Sequence, residues 1–256
     1  MNSVLGDFER LGYGVFPADD MAPLDELRQQ IFDRTCDVFG LQGQDPAAAF
    51  NNFHKLAIGG AKLNELRVKL IGDITRSVDS GTLIFHAFRS IIEGMLGPDL
   101  LVQKNTNLVI QQPNDPNPSE LHRDAPANSP YEIAIWLPLV DCYGTKSMYV
   151  LNRAKTEEAL AKLSSAPERW DEFHQHCLDV SDNIPVPYGS VLVFWTGLFH
   201  GSKVNQENET RFSLNMRFKN LFSPNGLKEP FEFFKIFQLS PISALGLQFQ
   251  RTEVLR

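Results

Sequence analysis

The stretch that most constrains this chain is Arg211-Phe-Ser-Leu-Asn-Met-Arg-Phe-Lys219, which alternates polar and apolar residues without a fault. A period of two is the mark of a strand with two unlike faces. It puts Arg211, Ser213, Asn215, Arg217 and Lys219 on one side and Phe212, Leu214, Met216 and Phe218 on the other. A helix would mix the two sets, so this part of the chain is committed to a sheet backed by an apolar layer. Taken alone, the polar side reads equally well as the solvated face of an edge strand.

The surrounding sequence supplies the other layers. Leu24 to Gly40, Ala61 to Ser77 and Ser80 to Leu96 carry apolar residues at helical intervals, so the first hundred residues are expected to be mainly helical after a short strand at Gly12 to Phe16. Beyond Gly97-Pro98, strands are expected at Leu101 to Gln112, Tyr131 to Val140, Met148 to Leu151, Ser190 to Trp195 and Thr210 to Lys219. An amphipathic insert over about 155–178 reads as helix, and residues 223–256 form a C-terminal extension. Short strands at such spacing predict a sandwich or barrel with helices on its outside, an all-β core with flanking helices in a single domain.

Composition narrows the function. A hydrophobic content of 43% is enough for a buried core, and a net charge of -7 argues against nucleic acid or an anionic membrane surface as partner. No apolar run has the length of a bilayer span, and the N-terminus has no signal-peptide pattern. Cys36, Cys142 and Cys177 are too far apart for a C-x-x-C site. The expectation is a cytoplasmic protein with free thiols that acts on a small molecule.

His122-Arg-Asp124 places two metal ligands two residues apart, on one side of an extended chain. His200, between the strand Ser190 to Trp195 and the alternating strand, adds a third. Two histidines and one carboxylate form the facial triad of non-haem iron(II), which leaves coordination sites open for substrate and oxygen. Arg211 and Ser213 then gain a role, because a guanidinium pairs both oxygens of a carboxylate. By contrast, His174 and His176 lie two apart on an expected helix and project to different sides, so they cannot share an ion with Cys177. His86, amid Phe85 and Phe88, reads as a core histidine.

The ordered set His122, Asp124, His200, Arg211 and Ser213 resembles the iron(II)- and 2-oxoglutarate-dependent oxygenases. The resemblance narrows to the phytanoyl-CoA dioxygenase-like branch through Phe8 to Phe16, Ile135 to Asp141 and Gly189 to Asn205, with Leu151-Asn-Arg-Ala154 and Ser190 as departures. Lys146 to Leu151 and Leu139 to Tyr143 are similar to a subgroup associated with carbohydrate-biosynthesis gene clusters. The resemblance implies a double-stranded β-helix, or jelly roll. Iron(II) would be held by His122, Asp124 and His200, with 2-oxoglutarate and O2 as cosubstrates and Arg211 and Ser213 on the far carboxylate. Hydroxylation of a small polar intermediate, a sugar or nucleotide sugar, with release of succinate and CO2 is the implied reaction. Asp124 argues against halogenation, since related halogenases have a small residue there.

Gln103, Asn105 and Asn107 share a face of their expected strand, which reads equally well as a solvated face or as a set of candidate 2-oxoglutarate donors. Asn215, Arg217 and Tyr149 are candidate substrate contacts, with Arg217 equally suited to pairing with a surface carboxylate and Tyr149 to a place in the core. Two other readings use the same residues: a jelly-roll lyase or isomerase with a Lewis-acid metal, and a binding module without turnover.

Overall fold

The structure is a computed structural model describing residues 2–41, 43, 45–165 and 169–249. Its N-terminal layer comprises α1 (Asn2–Leu11), β1 (Tyr13–Pro17), α2 (Met21–Phe39), α3 (Pro46–Asn51), α4 (Gly60–Ser77), α5 (Ser80–Ala87) and α6 (Arg89–Leu96). The boundaries of α2 are set by local chemistry. The Asp20 carboxylate caps its start by accepting from the Ala22 N–H, and Gly40 ends it in the left-handed region at φ 66°.

The helix expected over Ser80 to Leu96 is two helices. Phe88 leaves the helical region, at φ -132° and ψ 31°, and is fully buried. Turning the chain there sends α5 and α6 to different parts of the core. The apolar stripe continues through the turn, so periodicity carries no mark of it.

The core contains β2 (Leu100–Gln103), β3 (Asn107–Gln111), β4 (Glu132–Pro138) and β5 (Met148–Val150). It continues, after the helical hairpin α7 (Arg153–Ser165) and α8 (Trp170–Val180), with β6 (Asp182–Asn183), β7 (Ser190–Trp195), β8 (His200–Ser202) and β9 (Arg211–Asn220). The C-terminal extension adds α9 (Pro230–Phe233), β10 (Phe234–Gln238) and α10 (Pro241–Leu247). Its last residues, 250–256, lie outside the described residues.

Every strand pair is antiparallel. The large sheet runs β1-β7-β4-β9-β2-β10, with β3 also on β9, and a smaller sheet runs β6-β5-β8. The two make the jelly roll. The long strand β9 is its axis, with β4 along one edge and β3 and then β2 along the other. Its apolar side meets the helical layer: Phe212 stacks on Phe50 at 4.3 Å between centroids and takes Phe53 edge-on at 5.1 Å. Its polar side therefore faces the barrel interior and is not solvated. Arg211, Ser213, Arg217 and Lys219 are all buried.

Candidate metal centre

Two backbone hydrogen bonds assemble the first part of the site. His122 and His200 face each other as an isolated antiparallel pair, each N–H donating to the other's carbonyl at 3.0 Å. Directly opposed residues put their side chains on the same side, and the two rings stand 4.2 Å apart between centroids. Asp124, two residues beyond His122, projects to that side as well. One ligand atom from each of His122, Asp124 and His200 lies within 4.8 Å of the others.

The protonation pattern suits a cation. The Nδ1 of His122 lies 2.7 Å from the Glu120 carbonyl, and that of His200 lies 2.9 Å from the Leu198 carbonyl. Because a carbonyl only accepts, each Nδ1 is the donor, and Nε2 is left as a lone pair. Burial and the neighbouring His122 push His200 down to about 4, so it is neutral at physiological pH. Asp124 is raised by burial but more strongly lowered by Arg217 and the two histidines, and it stays ionised. Its Oδ1 accepts from Arg217 Nη2 at 2.6 Å, whereas Oδ2 is buried with no partner. Two imidazole nitrogens and an orphaned carboxylate oxygen are what a divalent metal of the iron type takes.

Arg211 organises a second part. It is 2% exposed, and burial pulls it down to about 10, so it remains charged. Its guanidinium donates to Ser202 Oγ at 2.9 Å and to the Ser147 carbonyl at 3.4 Å, while Nε has no partner. Among the described residues no carboxylate pairs with it. Ser213 Oγ and Gln111 Oε1, on the same inner face, are also buried without partners. Such atoms are rare unless something absent satisfies them. Ser202 lies two residues after His200 on β8, so the guanidinium stands roughly 7 Å along the strand from a metal ligand.

Of the other expected site residues, Asn107 and Asn215 face each other across β3 and β9 on the inner face. Arg217 is on that face too, but it is engaged by Asp124 and by Gln103 Oε1 at 3.3 Å. Two expectations are corrected. Asn105 is not on a strand: the chain bends over Lys104 to Thr106, Asn105 is exposed, and its carbonyl accepts from Gln103 Nε2 at 2.7 Å. Tyr149 faces away from the interior, because it opposes Gly201 on β8 while the flanking Val150 and Met148 oppose His200 and Ser202. It is buried with Phe173, Cys177 and Phe199 beneath the α7–α8 hairpin. Gln111 and Ser202 were missed by sequence reasoning, although each has a signal: Gln111 shares the parity of Asn107, and Ser202 that of His200.

No family model matches the sequence, and no curated protein matches it. Solved structures do. The nickel complex of the non-haem monooxygenase ThoJ aligns over 94% of this chain and 86% of its own, with a TM-score of 0.56 and 19% identity. The non-haem α-ketoglutarate-dependent carbocyclase SnoK from nogalamycin biosynthesis aligns over 89% and 87%, with a TM-score of 0.55 and 14% identity. HygX from Streptomyces hygroscopicus, solved with nickel and 2-oxoglutarate, aligns over 87% and 88%, with a TM-score of 0.55 and 11% identity. The fold is thus the one shared by these non-haem enzymes, a jelly roll with an antiparallel core and flanking helices, as the sequence resemblance implied.

Proposed function

We propose that the protein is a non-haem iron(II)- and 2-oxoglutarate-dependent oxygenase that hydroxylates a small polar biosynthetic intermediate. The observation that carries this reading is the buried Arg211, charged, without a carboxylate of its own, and close to three convergent metal ligands. A metal Lewis acid acting alone has no use for such a clamp. HygX binds 2-oxoglutarate on the same fold, and ThoJ and SnoK are described as a monooxygenase and an α-ketoglutarate-dependent carbocyclase.

In this reading His122, Asp124 and His200 hold the metal. Iron(II) with 2-oxoglutarate and O2 supplies the oxidising power that turns a substrate C–H into C–OH as 2-oxoglutarate becomes succinate and CO2. The protein's part is placement. Arg211 and Ser213 take the far carboxylate of the cosubstrate and fix its direction down the barrel, Gln111 closes that end, and Arg217 orients the Asp124 carboxylate so that Oδ2 points inward.

Calorimetric titration of 2-oxoglutarate into anaerobic iron(II)-loaded protein tests the reading. Saturable binding is expected, and Arg211→Leu should weaken it about 100-fold through loss of two charge-assisted hydrogen bonds. With an accepted substrate, succinate should form one-for-one with product, and His200→Ala should form none. An iron-loaded wild type that does not bind 2-oxoglutarate would overturn the proposal in favour of a lyase or isomerase.

A further inference from the structure

The segment after β9 crosses back over the metal-ligand loop and is fastened at both ends. On one side the Leu227 N–H donates to the Pro126 carbonyl at 3.3 Å and the Lys228 N–H to the Ala127 carbonyl at 3.2 Å. Gly226 lies so close to this loop that a Cβ there would stand 2.5 Å from the Asn128 carbonyl carbon, so only glycine fits. On the other side the Lys104 N–H donates to the Phe233 carbonyl at 3.0 Å, and Lys104 Nζ donates to the Phe231 carbonyl at 2.6 Å. Residues 226–233 thus form a strap between the loop that carries Asp124 and the bend at Lys104, in fixed register with both.

This fastening puts the Lys228 ammonium beside the loop that carries Asp124. It donates to Asn128 Oδ1 at 2.7 Å and lies 4.4 Å from the centroid of the Phe233 ring. Asn128 is itself tied to the metal loop, its N–H donating to the Asp124 carbonyl at 2.9 Å. Arg217, Asp124 and Glu132 are all near enough to act on the charge of Lys228.

The carboxylates around Lys228 are already engaged. Asp124 is paired with Arg217 at 2.6 Å. Glu132 accepts from Asn128 Nδ2 at 2.8 Å and from the Ser129 N–H at 2.9 Å, and it stands opposite Lys219 in register. Among the described residues Lys228 makes no ion pair, even with Glu229 or Glu232 on its own strap. An ammonium has three donors; the amide takes one and the ring face engages another. What remains is an exposed cation on neutral supports, close to the candidate metal site.

We propose that Lys228 anchors the substrate by taking an anionic group, a carboxylate or a phosphate, on the molecule to be oxidised. The proposal rests on the oxygenase reading and deepens it by assigning the substrate class: an acid or phosphate ester rather than a neutral sugar. A strap pinned to the Asp124 loop holds the anchor at a fixed offset from the metal, so the anionic group would set which carbon is presented for attack.

The test uses the protein loaded anaerobically with iron(II) and 2-oxoglutarate, so that Arg211 is occupied. Glucose, glucose 6-phosphate, gluconate and inorganic phosphate are titrated in separately by calorimetry. The two charged sugars should bind and glucose should not; inorganic phosphate identifies whether a free phosphate suffices. Lys228→Met should weaken the charged ligands about tenfold, Lys228→Arg should restore them, and Lys62→Met on exposed α4 should change nothing although it removes the same charge. Glucose binding as tightly as its charged relatives, no anion binding, or full anion affinity in Lys228→Met would each overturn the proposal. Thermal denaturation of the variants separates this from bracing of the strap, which would lower the melting temperature of Lys228→Met without separating charged from neutral ligands. The 2-oxoglutarate loading step reports independently on the oxygenase reading. If it fails, the same anion titrations into the unloaded protein still judge Lys228.

Discussion

Asp124 divides its two oxygens between structure and function. Oδ1 is neutralised by Arg217 and Oδ2 is free. Both partners are about 10% exposed or less as side chains, so the pair is not a surface ion pair of negligible worth. Removing one member strands the other charge in a dry site. Arg217→Met should therefore cost the metal-free protein about 3–5 kcal/mol in urea denaturation. Saturating nickel should recover part of that loss, because a cation on the triad supplies the missing counter-charge. A variant as stable as wild type would show that Arg217 does not hold Asp124. The wild-type pair also has a pH sign. Since the Asp124 carboxyl is held below its ordinary value, its contribution is complete above the unfolded aspartate range and is lost as pH falls through the lowered one. Arg217→Met should lose less stability over that acid limb.

At the level of elements, the pairing of β5 with β8 decides what enters the barrel. The register sends Val150 and Met148 inward with His200 and Ser202, and it sends Tyr149 outward against Gly201. A Cβ at 201 would stand 2.5 Å from the Tyr149 hydroxyl and 2.8 Å from the Ser119 carbonyl oxygen. Gly201→Ala should thus cost about 1–3 kcal/mol by overpacking. Tyr149→Phe alone should be nearly neutral, since its hydroxyl has no partner. The double variant should recover part of the loss, which a double-mutant cycle on urea midpoints reads directly. Additive effects would mean that the register is not as described. The same strand shows where sequence reading stops. The faultless alternation of Arg211 to Lys219 declares two faces over nine residues, and the triad tells which face is inside. A three-residue strand such as β5 declares parity only, and its inward side depends on a partner far along the chain. Asn105 fails for a related reason: the bend at Lys104 to Thr106 breaks a parity that the residues on either side preserve. The strap of residues 226–233 has neither period, so Lys228 gave no signal.

On the scale of the whole molecule, a chain of net charge -7 collects Arg211, Arg217 and Lys219 on the buried face of one strand. Arg217 is matched there by Asp124 and Lys219 faces Glu132, which leaves Arg211, among the described residues, as the cation without a carboxylate, suited to one end of a dianionic cosubstrate. The core that surrounds this strand is continuous from α2 through β9, whereas the α7–α8 hairpin closes a smaller cluster of its own around Tyr149. Elements with fewer buried partners open at lower free energy. The three free thiols sample these layers: Cys36 is half-buried on α2, Cys177 is buried in the small cluster, and Cys142 is buried in the main core. In native labelling with a thiol reagent, Cys36 should react first, Cys177 next by opening of the hairpin, and Cys142 last by global unfolding. Burial pushes Cys177 up to about 11 and Cys142 up to about 12, so neither forms appreciable thiolate while closed. Raising the pH from 7 to 9 should accelerate all three while leaving the order intact, because access to the two buried thiols is set by the opening equilibria. If Cys142 reacted ahead of Cys177, the hairpin would be more firmly bound than the barrel it covers, and the division of the core into a large and a small cluster would not describe how the molecule opens.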